Sequence, residues 1–423
     1  MTLQRADILL PVFAKDAQKM QAWSVVACDQ YTSEADYWEA VSKIVGEQAS
    51  TLRVTIPEIY LNDADIEARI QKANQTMEQY LEDGVFAEYK NTYVFVERTL
   101  ACGAKRLGIV GMVDLEDYDY TVGSKTKIRA TEGTVIERIP PRLKVRKDAP
   151  IELPHIMLLI DDESKSIIEP IANMTEQFEK LYDFDLMQNS GHITGYRMSD
   201  AAAQQLDKKL EELGDISAFN QKYGTGEATP LIYAMGDGNH SLATAKTYYE
   251  NLKAELGEEA AKNSPARYAL CELVNLHSDS LEFEAIHRVV FGADGNAFLQ
   301  ELGKKYTLSF DADAKGQQFV FVLGDEEKTV TVTNPEEYLT VATVQKALDE
   351  FLKNNSGEVD YIHGDDVVRK LCKDSKNFGI IFEAMDKADL YPSVIQDGAL
   401  PRKTFSMGEA CDKRFYTEAR KIK

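Results

Sequence analysis

Cysteine is scarce in this chain of 423 residues. The five present, Cys28, Cys102, Cys271, Cys372 and Cys411, are odd in number and widely spaced, which excludes a secreted disulfide framework and a zinc knuckle. Long hydrophobic runs are lacking too. The longest apolar stretches, such as residues 156–160, are far too short to cross a bilayer. Near the N-terminus, Arg5 and Asp7 sit beside a short apolar run without the basic start, long apolar core and cleavage site of a signal peptide. These absences together predict a reduced, cytoplasmic protein. Positive charge is in deficit: 48 Lys and Arg face 70 Asp and Glu, a formal net charge of −22, with no basic cluster to offset it. Such a surface repels a nucleic-acid backbone and an anionic membrane alike, which leaves small molecules as the expected partners. No internal repeat or low-complexity tract is present.

Apolar residues, 44 % of the total, are spread through the whole chain, so large-scale disorder is excluded. The length predicts two or three structural units. Strand-like and helix-like segments alternate in a mixed α/β order. Residues 8–13 and 24–28 read as short strands; Ser33 and Asp36 suit the start of a helix through Trp38 and Val45. Residues 52–61 read as extended around Pro57, and 63–83 as a long amphipathic helix ending at Gly84. Further strands are expected at 107–115, 156–160 and 230–235, a helix at 199–213, and a hairpin turning near Gly324 and Asp325. The polar tail, 400–423, reads as ending in a helix. Four segments follow: an N-terminal α/β unit over 1–105, a core over 106–292, a helix-plus-hairpin satellite over 293–340, and a C-terminal α/β segment over 341–423.

The strongest chemical signal is Gly236-Asp-Gly-Asn-His-Ser241, where a buried strand runs through two glycines into a helix. The N–H groups of a helix start form an anion site, and glycine lets a ligand approach the backbone. His240 can add a donor and Ser241 a hydroxyl. Asp237 can accept a proton from a substrate hydroxyl or hold a phosphate-bound metal. The same residues equally suit a plain strand-to-helix turn, since the pattern is neither a full Walker loop nor a full GxGxxG. A second signal holds Arg129, Glu132, Thr134, Arg138 and Arg142, and arginine suits bidentate phosphate recognition; a solvated charged face would look the same. A third is Ala27-Cys-Asp-Gln-Tyr-Thr-Ser33, in which Asp29 is a candidate base and Cys28 reads as a buried thiol. His287-Arg288 reads as a structural pair in a strand.

These segments, in this order, resemble the domain-of-unknown-function 1015 proteins. In that family a strand leads into Ala-Asp-Gly-His-His-Arg-Tyr-Glu, which matches residues 236–243 here; a His-Glu-x-Thr stretch matches Thr131-Glu-Gly-Thr134. A His-Arg-Val-Val strand matches His287-Arg-Val-Val290, and a late Pro-x-Lys-Ser/Thr motif matches Pro401-Arg-Lys-Thr404. The resemblance implies a ParB/sulfiredoxin-like core with additional α/β units, a fold that includes free-serine kinases. It thereby implies a phosphotransferase acting on the hydroxyl of a free amino acid such as L-serine. The donor would be a nucleotide or pyrophosphate, accompanied by phosphate-bound Mg²⁺ with no metal site of the protein's own. On this reading Gly236, Gly238, Asn239, His240, Ser241 and Thr134 hold the donor phosphates and Arg129 and Arg138 offset their charge. Asp237, then Asp29 and Glu132, are the candidate bases. Asn239 and Ser241 stand where the family has His and Arg, so a cation is missing from the motif, and Arg129, Arg138 and Arg402 are candidates to replace it. The alternative is a nucleotide- or metabolite-binding regulatory protein without turnover. Sulfiredoxin chemistry itself needs a cysteine in the motif, which is absent.

Overall fold

Residues 105–114 are apolar on nearly every position from Leu107 to Val113, as a strand covered on both faces must be. They form the strand Lys105–Asp114 within a nine-stranded mixed sheet. The computed structural model describes residues 3–423, and these divide into two compact units. The first comprises the chain up to Ala130 together with Thr134–Leu281 and Gly408–Lys423; the second comprises Thr131–Gly133 and Glu282–Met407. This differs from the four segments expected from the sequence. Residues on both sides of position 105 share one sheet, the hairpin at 317–332 is part of a larger sheet, and residues 408–423 return to the first unit.

In the first unit the sheet runs Ile128–Arg129, Tyr233–Asp237, Met157–Ile160, Tyr268–Asn275, Lys105–Asp114, Val94–Thr99, His192–Arg197, Glu179–Asp185, with Leu3–Gln4 also pairing Lys105–Asp114. Tyr233–Asp237 is parallel to Ile128–Arg129 and antiparallel to Met157–Ile160, which in turn is parallel to Tyr268–Asn275. The remaining neighbours are antiparallel. Helix Asp200–Glu212 is capped by Ser199, whose side chain accepts the Ala202 N–H, and it buries Leu206 and Leu210. Helix Asn239–Leu256 follows directly from the strand Tyr233–Asp237 and buries Leu242, Ala245 and Tyr249 against the sheet.

Several local expectations are corrected. Residues 24–28 make only a single bridge, Val26 to Phe415, after a helix Ala17–Trp23. The helix Ala35–Val45 starts from Glu34 with no side-chain cap. Residues 52–61 hold two short 3-10 turns, Thr51–Arg53 and Glu58–Tyr60, because Ser50 caps the first and Pro57 opens the second.

The tail is corrected most. It forms strands Phe405–Met407 and Arg420–Lys421 and ends in no helix. Residues 414–420 are buried, with Tyr416 N–H bonded to Val25 O at 2.8 Å and Leu9 paired with Ala419. Its charged residues are buried as ion pairs. Arg414 donates to Glu272, to Glu418 Oε2 at 2.6 Å and to Pro154 O at 3.2 Å. Gly108 leaves beside the sheet the space that Glu272 occupies; any side chain there would overlap the Glu272 carboxylate.

The second unit carries a six-stranded antiparallel sheet in the order Leu308–Ser309, Glu326–Val332, Gln317–Leu323, Asn377–Ile381, His287–Phe291, Glu358–Ile362. His287 Nδ1 accepts the Phe382 N–H at 3.2 Å, and Arg288 is fully buried with Gln345 Oε1 at 2.7 Å, as a structural pair. Among the described residues no helix is long and apolar enough to cross a membrane.

Candidate functional site

The turn between the strand Tyr233–Asp237 and the helix Asn239–Leu256 is made by Gly238, at φ 81°. A Cβ there would lie 2.9 Å from Ile156 Cα, so both the left-handed backbone and the close approach of the neighbouring strand require glycine. No side chain caps the helix. Its first turn therefore presents backbone donors and the positive end of the helix dipole. Asp237 turns back instead: Oδ1 accepts the Gly238 N–H at 2.8 Å, and Oδ2 lies 3.6 Å from Lys413 Nζ. Asn239 Oδ1 is buried without a hydrogen-bond partner among the described residues. His240 Nε2 accepts the Val135 N–H at 3.3 Å, which ties the helix start to the loop holding Thr134.

Ser241 Oγ lies 3.0 Å from His155 Nε2. His155 precedes the strand Met157–Ile160, beside the one that carries the glycine turn. Its other nitrogen, Nδ1, lies 3.2 Å from the Tyr416 hydroxyl, which donates to Cys28 Sγ at 3.0 Å and accepts the Cys28 N–H at 3.1 Å. Asp29 Oδ2 is 3.7 Å from the same Nε2. Burial acts to raise the Asp29 carboxyl, but His155, the Gln30 side chain, Lys413 and Arg142 outweigh it and hold the group below the usual carboxylate range. Burial pushes the Cys28 thiol up to about 11, with the Asp29 charge adding to it, so this cysteine is a protonated thiol at neutral pH and not a nucleophile. A cavity of about 150 Å³ adjoins the group, lined by His155, Ser241, Cys28 and Tyr416, by charged side chains such as Glu58 and Arg142, and by apolar ones such as Ile56 and Val145.

The first unit thus brings together Asp29, Asp237, Gly238, Asn239, His240 and Ser241 from the sequence reading. It adds His155, Tyr416 and Lys413, which that reading missed. Of the candidate arginines, Arg142 lines the cavity and acts on Asp29, while Arg129 and Arg138 are used elsewhere. Arg129 is buried, with Nε on Thr126 O at 3.0 Å and Nη2 on Thr229 O at 3.1 Å and near Glu227 at 3.4 Å. Arg138 is exposed, and its carbonyl accepts from Arg142 Nη1 at 2.9 Å. Arg142 itself pairs with Glu58. Glu132 belongs to the second unit, where Oε1 accepts the Lys403 N–H at 3.0 Å and Thr131 O accepts the Leu400 N–H at 2.8 Å. Two stretches singled out in the sequence, 131–134 and 401–404, therefore meet in that unit through Glu132. Among the described residues no three His, Cys, Asp or Glu side chains converge to hold a metal ion.

A family model described as protein of unknown function (DUF1015) matches residues 9–351. No curated protein matches the chain. Among solved structures, a free serine kinase in complex with AMP is 14 % identical, with 74 % of this chain and 90 % of that one covered and a TM-score of 0.39. SbnI with a C-terminal truncation, from Staphylococcus aureus, is 9 % identical, with 73 % and 85 % covered and a TM-score of 0.38. A conserved hypothetical protein from Pyrococcus furiosus is 12 % identical, with 74 % and 94 % covered and a TM-score of 0.36.

Proposed function

The chain belongs to the DUF1015 family of proteins of unknown function, and from the site just described we propose that it is a small-molecule phosphotransferase. It passes a phosphoryl group from a nucleotide or pyrophosphate to an alcohol hydroxyl, with free L-serine as the first acceptor to test. One observation carries the reading: the uncapped helix start at Gly238–Ser241 and two carboxylates, Asp29 and Asp237, are joined in one site through His155 and Lys413.

Phosphate suits the helix start because backbone N–H groups and the dipole favour an anion there. Asp237 has one oxygen on the Gly238 N–H and the other toward Lys413, so it serves to position the turn. The base is then Asp29, held ionised beside His155. The acceptor oxygen bonds to phosphorus as the bond to the leaving phosphate oxygen breaks. The hydroxyl proton passes to Asp29, and the leaving group keeps the electron pair. Phosphoryl transfer has a loose transition state in which charge neutralisation and alignment matter more than a strong base, so a carboxylate of low basicity suffices. A Mg²⁺ would arrive on the donor's phosphate oxygens and neutralise their charge there.

Phosphorus NMR tests the proposal directly. Purified protein with Mg²⁺ and L-serine is offered ATP, ADP or pyrophosphate beside a control lacking serine. Phosphoserine that depends on both donor and protein is the expected result, and Asp29→Asn should lower its rate by about 10²–10⁴-fold while the donor still binds. Donor hydrolysis without phosphoserine would keep the phosphate site and replace the acceptor. Thermal stabilisation by a nucleotide with no product from any acceptor would make the protein a nucleotide sensor instead.

A further inference from the structure

The loop Gly236–Ser241 holds no Lys or Arg of its own, Arg129 is held by Thr126, Thr229 and Glu227, and Arg142 is paired with Glu58. A triphosphate or diphosphate at the helix start still needs a cation beside it, the more so in a chain of net charge −22. We propose that Lys413 is that phosphate-binding cation, brought to the site by the returning segment Gly408–Lys423.

Lys413 is fixed by its neighbours. Arg414, the next residue, is buried between Glu272 and Glu418, and its carbonyl accepts the Ala27 N–H at 2.9 Å. Phe415 is bridged to Val26. Successive side chains of extended backbone point to opposite sides, so while Arg414 is driven inward Lys413 is directed to the opposite side of the segment. There Asp237 Oδ2 lies 3.6 Å from its Nζ, and only 18 % of each side chain is exposed. Asp237 holds the Gly238 N–H with its other oxygen, so a single carboxylate separates the ammonium from the helix start. The Lys413 charge also reaches Asp29. An ammonium carries three donors in rotatable geometry; it can keep Asp237 and turn toward a phosphate oxygen. Asp237 holds it in place until the ligand arrives. Lys413 lies outside the span matched by the family model, residues 9–351, so family membership does not by itself assign it this role.

The inference rests on the phosphotransferase reading for the nature of the ligand, and the test separates the two. Calorimetric titration of the full chain with inorganic pyrophosphate is run on the wild type, Lys413→Met and Lys413→Arg, with circular dichroism and melting temperature as folding controls. A loss of tenfold or more in affinity for Lys413→Met, about 1.4 kcal/mol, and recovery to within a few-fold for Lys413→Arg are expected. A second measurement needs no variant: pyrophosphate should protect Lys413 of the wild type from acetylation, read by peptide mass mapping, with Lys328 as the unprotected control. If the wild type binds pyrophosphate but Lys413→Met binds it equally well, or Lys413 is not protected, the assignment of Lys413 falls and the phosphate site stands. If the wild type binds no pyrophosphate, the phosphotransferase reading falls and takes this inference with it. Weakened binding that tracks a lower melting temperature and is not rescued by Lys413→Arg makes Lys413 structural.

Discussion

Ser241 Oγ and His155 Nε2 meet at 3.0 Å although 86 positions separate them. One residue stands in the first turn of a helix and the other just before the strand adjacent to the one that feeds that helix. The same nitrogen faces Asp29, whose carboxyl it helps to hold below the usual range. Replacing His155 by Gln removes that influence, so Asp29 takes up its proton at a higher pH. The acid limb of the pH–rate profile should therefore move upward in pH in His155→Gln. An unmoved limb would show that Asp29 is not the group being titrated.

Gly238→Ala tests the turn. The backbone there is left-handed, and the new Cβ would sit 2.9 Å from Ile156 Cα. A side chain in this conformation costs about 1–2 kcal/mol, and the strand must also shift. We expect weaker pyrophosphate binding and a loss of about 2 kcal/mol in urea unfolding.

Glu152 gives a pH dependence of stability. Burial acts to raise its carboxyl, but Arg420 and Arg146, with the Leu270 N–H, outweigh this and lower it. Unfolded, the group takes its proton near the ordinary value of about 4.3; folded, it does so only at lower pH. Between those two points the unfolded chain binds more protons, so stability is full above the ordinary value and declines as pH falls through the folded one. Glu152→Gln should be less stable at neutral pH by about 3 kcal/mol and show a shallower decline on acidification, measured by urea midpoints from pH 7 down to about pH 3.

Arg414→Met leaves Glu272 and Glu418 buried without their shared cation. Breaking a buried pair from one side costs about 3–5 kcal/mol. Both tryptophans, Trp23 and Trp38, lie in the first unit, so fluorescence should show its urea midpoint falling sharply. A midpoint unchanged from the wild type would mean that the carboxylates find other partners.

Much of the fold was legible because its determinants are local. Ser199 and the leucines at 206 and 210 announce a helix by cap and period. The apolar strand ending in Gly236-Asp-Gly announces a turn into a helix at a spacing of a few residues. The tail was not legible. Arg414, Glu418 and Arg420 look like solvent-facing residues in a polar stretch, yet each is buried because its counter-charges, at positions such as 272 and 152, lie far away in the chain. The same distance hid half of the candidate site. Asp29, Asp237 and Ser241 stand in recognisable turns, whereas Lys413 and Tyr416 have no local pattern that marks them. His155 gave only the weak signal of a histidine leading into a buried strand.

The return of residues 408–423 to the first unit has a consequence for synthesis on the ribosome. Trp23 Nε1 donates to Thr417 O at 3.0 Å across 394 positions, so the N-terminal core must wait for nearly all of this chain to be translated before that bond can close. The second unit draws most of its residues from 282–407 and has its sheet contacts within that span. It can form while the first unit still lacks the segment that neutralises Glu272. The expected order of folding is therefore the reverse of the order in which the two units begin to leave the exit tunnel, and the phosphate loop, though made before nearly all of the second unit, gains its lysine last.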